Sequence, residues 1–231
     1  MENFARARYA PRVIFDHLTE IPDPDPHAAA LNMALDEILL RGAATPLLRV
    51  YRWARPALSF GYFGNYRDIA ARWPGRDIVR RWTGGGEVPH GADFTYTLIV
   101  PRAHSFSRRS APDSYRAIHE CLAQLLAAST VAENAAPKTS GACFENAARF
   151  DVLIDSQKIA GAAQRRTAHG LLHQGSIQLD NLAPDFAARF AATLSAQRTR
   201  RPISPAERAA AHELAQDKYA TDAWLRRFGA D

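Results

Sequence analysis

The residues with the clearest chemical potential are a cysteine and a lysine that a predicted hairpin can bring together. Cys143 lies near the end of a predicted loop, away from any apolar helical stripe, and this setting suits a nucleophile. An unperturbed thiol is only slightly ionised at neutral pH, so a nucleophilic cysteine needs a nearby cation, base or backbone donor. Lys158 opens the second strand of a hairpin that begins just after the loop, and the hairpin can return it towards Cys143. On the residues alone, a structural cysteine and a surface lysine remain the alternative.

A second candidate site is a glycine loop that follows two adjacent arginines, in the run Arg80-Arg81-Trp82-Thr83-Gly84-Gly85-Gly86. Glycine adopts backbone angles closed to other residues and lets a ligand approach the main chain, so the run predicts a binding loop between two strands. It lacks the Gly-Lys-Ser or Gly-Lys-Thr ending of a phosphate-binding P-loop and the spaced glycines of a dinucleotide fingerprint. A glycine-rich hairpin without a ligand is the structural alternative.

Composition argues against several classes of protein. No apolar run approaches the roughly 18 residues of a membrane span, and the polar start lacks the apolar core of a secretory signal. We therefore expect a cytoplasmic protein that does not bind a membrane. Two cysteines are too few for a disulfide framework. The net charge of +5 favours acidic partners, but no basic tail or nucleic-acid-binding motif accompanies it, so nucleic acid is not an expected partner.

Two other catalytic arrangements are disfavoured by the sequence. His169 and His173 are four residues apart, but they fall in a predicted turn and strand with no evident third ligand, so no metal site is expected. A Ser-His-Asp hydrolase is not expected either, because the chain has no Gly-x-Ser-x-Gly elbow.

The elements that must position these residues follow an irregular order of strands and helices. A strand is predicted at 13–15, and Asp25-Pro26 supplies an N-cap and a first-turn proline for a helix that runs to about Arg41. A long helix is predicted over 112–128, with Cys121 beside its buried stripe as a small core residue. The other predicted strands are 47–53, 57–61, 77–79, 94–100, 150–155, 158–164 and 171–179, and the other predicted helices are 185–194, one that starts at the capping box of Ser204, and 221–228. This order predicts a single α+β domain over residues 1–231, in which helices flank a central mixed or antiparallel sheet and the last three strands form an antiparallel meander.

Several of these runs together resemble the lipoate-protein ligase, biotin ligase and octanoyltransferase superfamily. The Arg-Arg-x-Thr-Gly-Gly pattern of the loop is followed at a short distance by a histidine, here His90. The runs Ala142-Cys143-Phe144-Glu145-Asn146, Lys158-Ile159-Ala160-Gly161-Ala162 and His173-Gln174-Gly175 look like the cysteine-type octanoyl-[acyl carrier protein]:protein N-octanoyltransferases. The resemblance implies the fold shared by class II aminoacyl-tRNA synthetases and biotin ligases.

The resemblance also implies a reaction, its site and its partners. An octanoyl or lipoyl group would pass from an acyl carrier protein to a lysine of a lipoyl-domain protein, in lipoate biosynthesis. The acceptor would be a glycine cleavage H protein or a 2-oxoacid dehydrogenase E2 subunit. Cys143 would carry the acyl group and Lys158 would contact its carbonyl. The implied substrate-binding residues are Arg80, Arg81, Thr83, Gly84, Gly85, Gly86, His90, Gly161, Ala162 and His173. No cofactor is expected, since a thioester donor is already activated, and the enzyme is expected to be a monomer.

Two other functions remain open at this point. Many cysteine-type octanoyltransferases have arginine where this chain has Gly86, and glycine there is closer to the ligase form of the motif. An ATP-dependent lipoate-protein ligase, which would use ATP and magnesium, is therefore the first alternative. A non-catalytic protein that binds acyl carriers is the second alternative.

Overall fold

The computed structural model describes residues 13–136 and 147–228, and a large mixed sheet dominates this part of the chain. In chain order, its strands and those of a smaller sheet are β1 (Leu18–His27), β2 (Leu47–Trp53), β3 (Ala57–Phe60), β4 (Asp77–Arg80), β5 (Glu87–His90), β6 (Phe94–Pro101), β7 (Ser129–Val131), β8 (Val152–Ile154), β9 (Gln157–Arg166), β10 (Gly170–Ile177) and β11 (Arg198–Arg200). The helices are α1 (Ala29–Gly42), α2 (Tyr66–Arg72), α3 (Ala111–Ala123), α4 (Phe186–Leu194), α5 (Pro205–Leu214) and α6 (Asp222–Leu225). A 3₁₀ turn spans Ser105–Arg108, and one π-helical turn spans Ala215–Tyr219.

The large sheet has the strand order β11-β1-β2-β6-β10-β9-β8-β7 in the described residues. The pairs β1 with β11 and β1 with β2 are parallel, and the other pairs are antiparallel. The smaller sheet has the order β4-β3-β5, where β3 is parallel to β4 and antiparallel to β5. The α+β class with a mixed sheet is thereby confirmed.

The hydrophobic core lies on both faces of the large sheet. Side chains alternate between faces along a strand, and in β6 Leu98 joins one apolar cluster while its neighbour Ile99 joins the other. The first cluster includes Ile118 of α3 and Phe190 of α4, and the second includes Leu35 of α1. Both faces of the central strands are therefore covered by helices, and all eight residues of β10 are buried.

The first predicted strand and the start of the first predicted helix are wrong. Strand β1 occupies Leu18–His27, where the sequence predicts a helix start at Asp25-Pro26, and α1 begins at Ala29 without a side-chain cap. The reason is tertiary. The buried Asp23 carboxylate accepts two hydrogen bonds from Arg49 of β2, at 2.8 and 3.0 Å, and His27 bonds to the same carboxylate. These bonds and the pairing with β2 keep the chain extended through His27.

The antiparallel meander is confirmed, in the strand sequence β8, β9, β10. Its first turn has positive φ at Asp155 (49°) and Ser156 (65°), so two ordinary residues adopt a conformation that glycine usually takes. Cys121 is 2% exposed in the core, as predicted, and burial raises the pKa of its thiol to about 12. Two helices are shorter than predicted, since α3 ends at Ala123 and α6 spans only Asp222–Leu225.

None of the helices in the described residues is long and apolar enough to span a membrane.

Candidate active site

A pocket opens between the large and the small sheet. Backbone and side chains of the meander form one wall, the small sheet forms another, and aromatic residues of β2 contribute an apolar surface. The lining residues are Met33, Tyr51, Trp53, Ser59, Arg81, Val88, His90, Thr95, Lys158, Gly161, Ala162, Ala163, Gln174, Gly175 and Ser176.

A buried ion pair stands at the meander wall of the pocket. The Lys158 ammonium lies 2.8 Å from Asp151 Oδ2, and the two side chains are 4% and 0% exposed. Gly161 provides the space for this lysine, because a Cβ atom there would lie 2.5 Å from Lys158 Cε and 2.8 Å from its Nζ. A charge buried this deeply requires a counter-charge and hydrogen bonds. The hairpin β8–β9 and Gly161 therefore hold the ammonium at the pocket.

The second oxygen of Asp151 is held from behind by a helix. Tyr115 of α3 donates its hydroxyl hydrogen to Asp151 Oδ1, and the backbone N–H of Ala162 donates to the Tyr115 oxygen at 2.8 Å. Burial and the neighbouring Asp151 charge raise the pKa of Tyr115 well above its ordinary value, so the phenol stays protonated and can donate. Because Ala162 lines the pocket, α3 is coupled to the pocket wall through a short hydrogen-bonded path.

Two buried histidines lie next to this cluster. Nδ1 of His119 lies 2.6 Å from the carbonyl oxygen of Phe150, and burial lowers the pKa of His119 to about 4. Its Nε2 has no hydrogen-bond partner among the described residues. His173 bonds to Gln164 and Tyr96, and burial, together with His119, lowers its pKa well below the ordinary value. The predicted site residue His173 therefore lies behind the pocket wall as a neutral imidazole.

The glycine loop is held against the pocket by polar side chains. Arg81 donates to the carbonyl oxygens of Gly84 and Gly86, at 3.0 and 2.9 Å. Thr83 donates to Gln174 Oε1 at 2.8 Å, and Gln174 lines the pocket. The amide of Gln174 in turn donates to Asp36 at 2.8 Å. The loop is thus tied to a buried polar network that also contains Arg49, which donates to Asp36 at 2.7 Å.

Gly84 and Gly85 of the loop are in different situations. Gly85 has a φ of +89°, which favours glycine over other residues. The carbonyl oxygen of Gly85 lies so close to Gly61 that a Cβ atom on Gly61 would be only 1.9 Å from it. A Cβ on Gly84 would meet nothing within 4 Å, so Gly84 borders open space. The loop thus combines one position that favours glycine with one that borders open space.

Arg80 is directed away from the pocket, in contrast to its neighbour Arg81. Its guanidinium donates to the backbone carbonyl oxygens of Tyr62, Gly64, Trp224 and Leu225, and its side chain is fully buried. In this position it joins the turn after β3 to helix α6. The structure therefore brings Arg81, His90, Lys158, Gly161 and Ala162 to the pocket lining, while Arg80, Thr83 and His173 lie behind it. The predicted substrate-binding glycines Gly84, Gly85 and Gly86 are not among the lining residues.

On the small-sheet side of the pocket, the side chains of Ser59, His90 and Asp93 form a hydrogen-bonded chain. Ser59 Oγ lies 2.6 Å from His90 Nε2, and His90 Nδ1 lies 2.8 Å from Asp93 Oδ2. The ring of His90 stacks on Trp53, with centroids 4.1 Å apart and planes at 16°. Arg81 also donates to Ser59 Oγ, at 2.7 Å. This is the order of groups found in a Ser-His-Asp triad.

Sequence reasoning missed Asp151, Ser59 and Asp93. The run Phe150-Asp151-Val152 gives a signal, because a charged residue interrupts an apolar strand that the fold must bury. No comparable signal exists for Ser59, which needs the pairing of β3 with β5 to reach His90. The predicted nucleophile Cys143 lies outside the described residues.

Comparison with known proteins identifies the family. The model of the lipoyl protein ligase A/B catalytic domain matches residues 28–217, and the chain belongs to this family.

Individual proteins are similar to this chain in sequence or in fold. An octanoyltransferase LipM from Kyrpidia tusciae is 34% identical over 174 residues, which cover 66% of this chain and 63% of the relative. The match therefore spans less than two thirds of that protein. A putative lipoate protein ligase from T. acidophilum has a similar fold, with a TM-score of 0.73 at 19% identity over 91% of this chain and 99% of that one. A lipoate-protein ligase A bound with ATP gives a TM-score of 0.70 at 20% identity, over 94% and 100% of the two chains.

Proposed function

We propose that the chain is an acyltransferase that moves an octanoyl or lipoyl group from an acyl carrier thioester to a lysine of a lipoyl-domain protein. The observation that carries this proposal is the pocket in which a buried ammonium, Lys158, stands beside a largely apolar surface. Sequence similarity to octanoyltransferase LipM supports the same reaction.

Chain connectivity supports Cys143 as the acyl-carrying residue. The N–H of Ala136 donates to the carbonyl oxygen of Ala147 at 2.8 Å. Ala148 then donates its N–H to Asp151, the partner of Lys158. Cys143 precedes Ala147 by four positions in the sequence. This closeness in sequence to the partner of Lys158 is why we assign the acyl-carrying role to Cys143.

In the first half-reaction, the Cys143 thiolate attacks the carbonyl carbon of the donor thioester. A new carbon–sulfur bond forms, the bond to the carrier's sulfur breaks, and the carrier leaves as a thiol after taking up a proton. Lys158 stabilises the negative charge that develops on the carbonyl oxygen. Burial of the acyl tail in the pocket contributes about 0.8 kcal/mol per methylene group. In the second half-reaction, the amine of the acceptor lysine displaces the sulfur and forms the amide.

The reaction requires no cofactor, because the thioester supplies the activation. The net charge of +5 suits acidic carrier and lipoyl domains. We infer further that residues 1–231 act as one cytoplasmic, monomeric catalytic domain, with an H protein or E2 lipoyl domain as acceptor.

The test is to incubate the protein with octanoyl-acyl carrier protein, without nucleotide, and to measure its intact mass. We expect one octanoyl adduct that maps to Cys143 and is released by hydroxylamine. Cys143→Ala should abolish the adduct, whereas Cys121→Ala, which changes the buried core cysteine, should retain it. Absence of the adduct in the unmodified protein would contradict the proposal.

An ATP-dependent lipoate ligase is the second candidate, favoured by Gly86 in the loop. It predicts that octanoate or lipoate reaches a lipoyl domain only when ATP and magnesium are added, through an acyl-adenylate that Cys143→Ala does not affect. A non-catalytic carrier-binding protein predicts that neither donor yields a modified lipoyl domain.

A further inference from the structure

The chain Ser59–His90–Asp93 has a defined direction for its hydrogens. A guanidinium only donates, so the bond from Arg81 leaves Ser59 Oγ as an acceptor there, and the serine's own hydrogen is available for His90 Nε2. At its other nitrogen His90 donates to Asp93, whose carboxylate also accepts from Thr95, Ser176 and the Gly91 N–H. His90 is therefore a neutral imidazole with its hydrogen on Nδ1 and a lone pair towards Ser59.

We propose that Ser59, His90 and Asp93 form a proton relay that serves the second half-reaction, by accepting the proton that the acceptor amine must lose. This inference rests on the acyl transfer proposed above. It assigns to Ser59 and His90 a catalytic role separate from that of Cys143 and Lys158. Asp93 does not line the pocket, and its role is to position and stabilise His90.

The strand register brings the relay close to the Lys158 ammonium. Gly161, whose missing side chain leaves room for Lys158, is paired with Ser176 across β9 and β10. Ser176 is paired with Thr95 on β6, and paired residues point to the same face of a sheet. Both Ser176 and Thr95 donate to Asp93 Oδ2, at 2.7 and 2.8 Å. The Lys158 ammonium and the two donors to Asp93 therefore lie on one face of the large sheet, and Lys158, Ser59 and His90 line the same pocket.

The proposed step balances protons and charge. The uncharged fraction of the acceptor amine attacks the thioester carbonyl, forms a carbon–nitrogen bond and leaves the nitrogen positively charged. That nitrogen gives one proton to Ser59 Oγ while the hydroxyl proton of Ser59 passes to His90 Nε2. The carbon–sulfur bond breaks, the cysteine departs as thiolate, and His90 returns the proton through Ser59 to the sulfur. The products are the amide and the free thiol.

The charges around His90 suit a transient proton acceptor. Burial lowers the pKa of His90, and Arg81 and Arg76 lower it further, while Asp93 opposes them. Arg76 donates to the backbone oxygen of His90 at 3.2 Å. Burial alone raises the pKa of Asp93, but the contacts with His90, Ser176 and Gly91 outweigh it, and the net shift is downward. The imidazole is thus unprotonated at neutral pH and faces an ionised carboxylate.

The test separates the two half-reactions in a single turnover. The unmodified protein, Ser59→Ala, His90→Gln and Asp93→Asn are loaded with octanoyl-acyl carrier protein and then mixed with a lipoyl-domain protein or with hydroxylamine. Ser195→Ala is the matched control, since Ser195 is equally buried but bonds to Gln197 in another part of the fold. Melting temperatures verify that each variant folds, and the most stable relay variant provides the decisive rate.

We expect the relay variants to slow transfer to the lysine by roughly 10²-fold and to slow loading of Cys143 much less. Hydroxylamine is small enough to pass the proton that it loses after attack to water instead of to Ser59, so it should react at nearly the same rate in all variants. The transfer rate should fall with pH in every variant because the acceptor amine becomes protonated, and in the unmodified protein it should fall more steeply at acidic pH, where His90 also becomes protonated. His90→Gln should lack this added steepness.

Three outcomes would overturn the relay. The first is transfer at the unmodified rate in folded Ser59→Ala and His90→Gln. The second is an equal loss of loading and transfer, which would indicate a general structural effect. The third is an acyl ester on Ser59 in Cys143→Ala, which would make Ser59 a nucleophile. Failure of the unmodified protein to load at Cys143 is a distinct result, which would contradict the acyl transfer itself and the relay with it.

Discussion

The meander wall and the small-sheet wall of the pocket are each built around a buried aspartate, but they present different groups to a substrate. On the meander wall Asp151 supports an ammonium, that of Lys158. On the small-sheet wall Asp93 supports the imidazole of His90, which in turn bonds to the Ser59 hydroxyl. Ser59 and His90 line the pocket. A positive group stabilises negative charge on a carbonyl oxygen, whereas a hydroxyl and an imidazole transfer protons. A buried carboxylate thus supports two kinds of chemistry, according to the side chain that it binds.

The largest expected effect comes from removing the charge of the first aspartate. Asp151→Asn leaves the Lys158 ammonium without its carboxylate, and we expect loading of octanoyl groups to slow by roughly 10²-fold. Loss of one partner of a buried ion pair should also lower the free energy of unfolding by about 3 kcal/mol. Single-turnover mass measurement and urea unfolding measure the two effects. The control is Asp155→Asn in the nearby exposed turn, which should be close to neutral in both assays. If Asp151→Asn loads as fast as the control, the comparison between the two walls fails.

A smaller loss is expected when the lysine is moved without changing any charge. In Gly161→Ala the new Cβ would meet Lys158 Cε at 2.5 Å, so the flexible side chain must shift. We expect this displacement of the ammonium to slow loading by roughly 10-fold, which is less than the effect expected for Asp151→Asn. The relay lies on the other wall, so the transfer of an already loaded octanoyl group should be less affected than loading. Equal losses in loading and transfer would show that the two walls do not act separately.

The buried histidine behind Asp151 predicts a pH dependence of stability. The pKa of His119 is lowered from 6.5 in the unfolded chain to about 4 in the fold. The unfolded chain therefore binds more protons between these values, and stability present above pH 6.5 is lost as the pH falls towards 4. The loss is up to about 1.4 kcal/mol per pH unit. In urea unfolding at several pH values, His119→Gln should show a shallower decline than the unmodified protein. Parallel declines would mean that His119 is not held neutral in the fold.

The smallest effect is expected at the glycine loop. A methyl group at Gly84 meets no protein atom within 4 Å, so Gly84→Ala should leave the melting temperature nearly unchanged. If a substrate lies against this open space, the variant should raise the KM for octanoyl-acyl carrier protein a few-fold. Gly85→Ala is the contrasting variant, because its φ of +89° is unfavourable for alanine and the change should lower stability. An unchanged KM in Gly84→Ala would indicate that the loop is structural.

Local patterns predicted most of the framework and part of the site. The meander, the mixed sheet and the burial of Cys121 follow from the alternation of apolar residues and from helical spacing, which are local properties. The start of α1 does not follow from such rules. Asp25-Pro26 is a sound helix start by local preference, but Arg49 binds Asp23 and keeps this segment in the sheet. A contact between residues 23 and 49 has no local signature in the sequence.

The amino-acid sequence by itself determined the family, the type of fold and the position of the glycine loop and Lys158, because residue types at fixed short spacings specify turns, strands and motifs. Only the tertiary structure decided that Arg81 lines the pocket while Arg80, the last residue of β4, holds α6. The tertiary structure also decided that Asp151 supports Lys158 and that Asp93 supports His90. Hydrogen bonds between Ser59, His90 and Asp93, and between Asp151 and Lys158, depend on strand pairing and on burial that excludes water, and both arise only when the whole chain has folded.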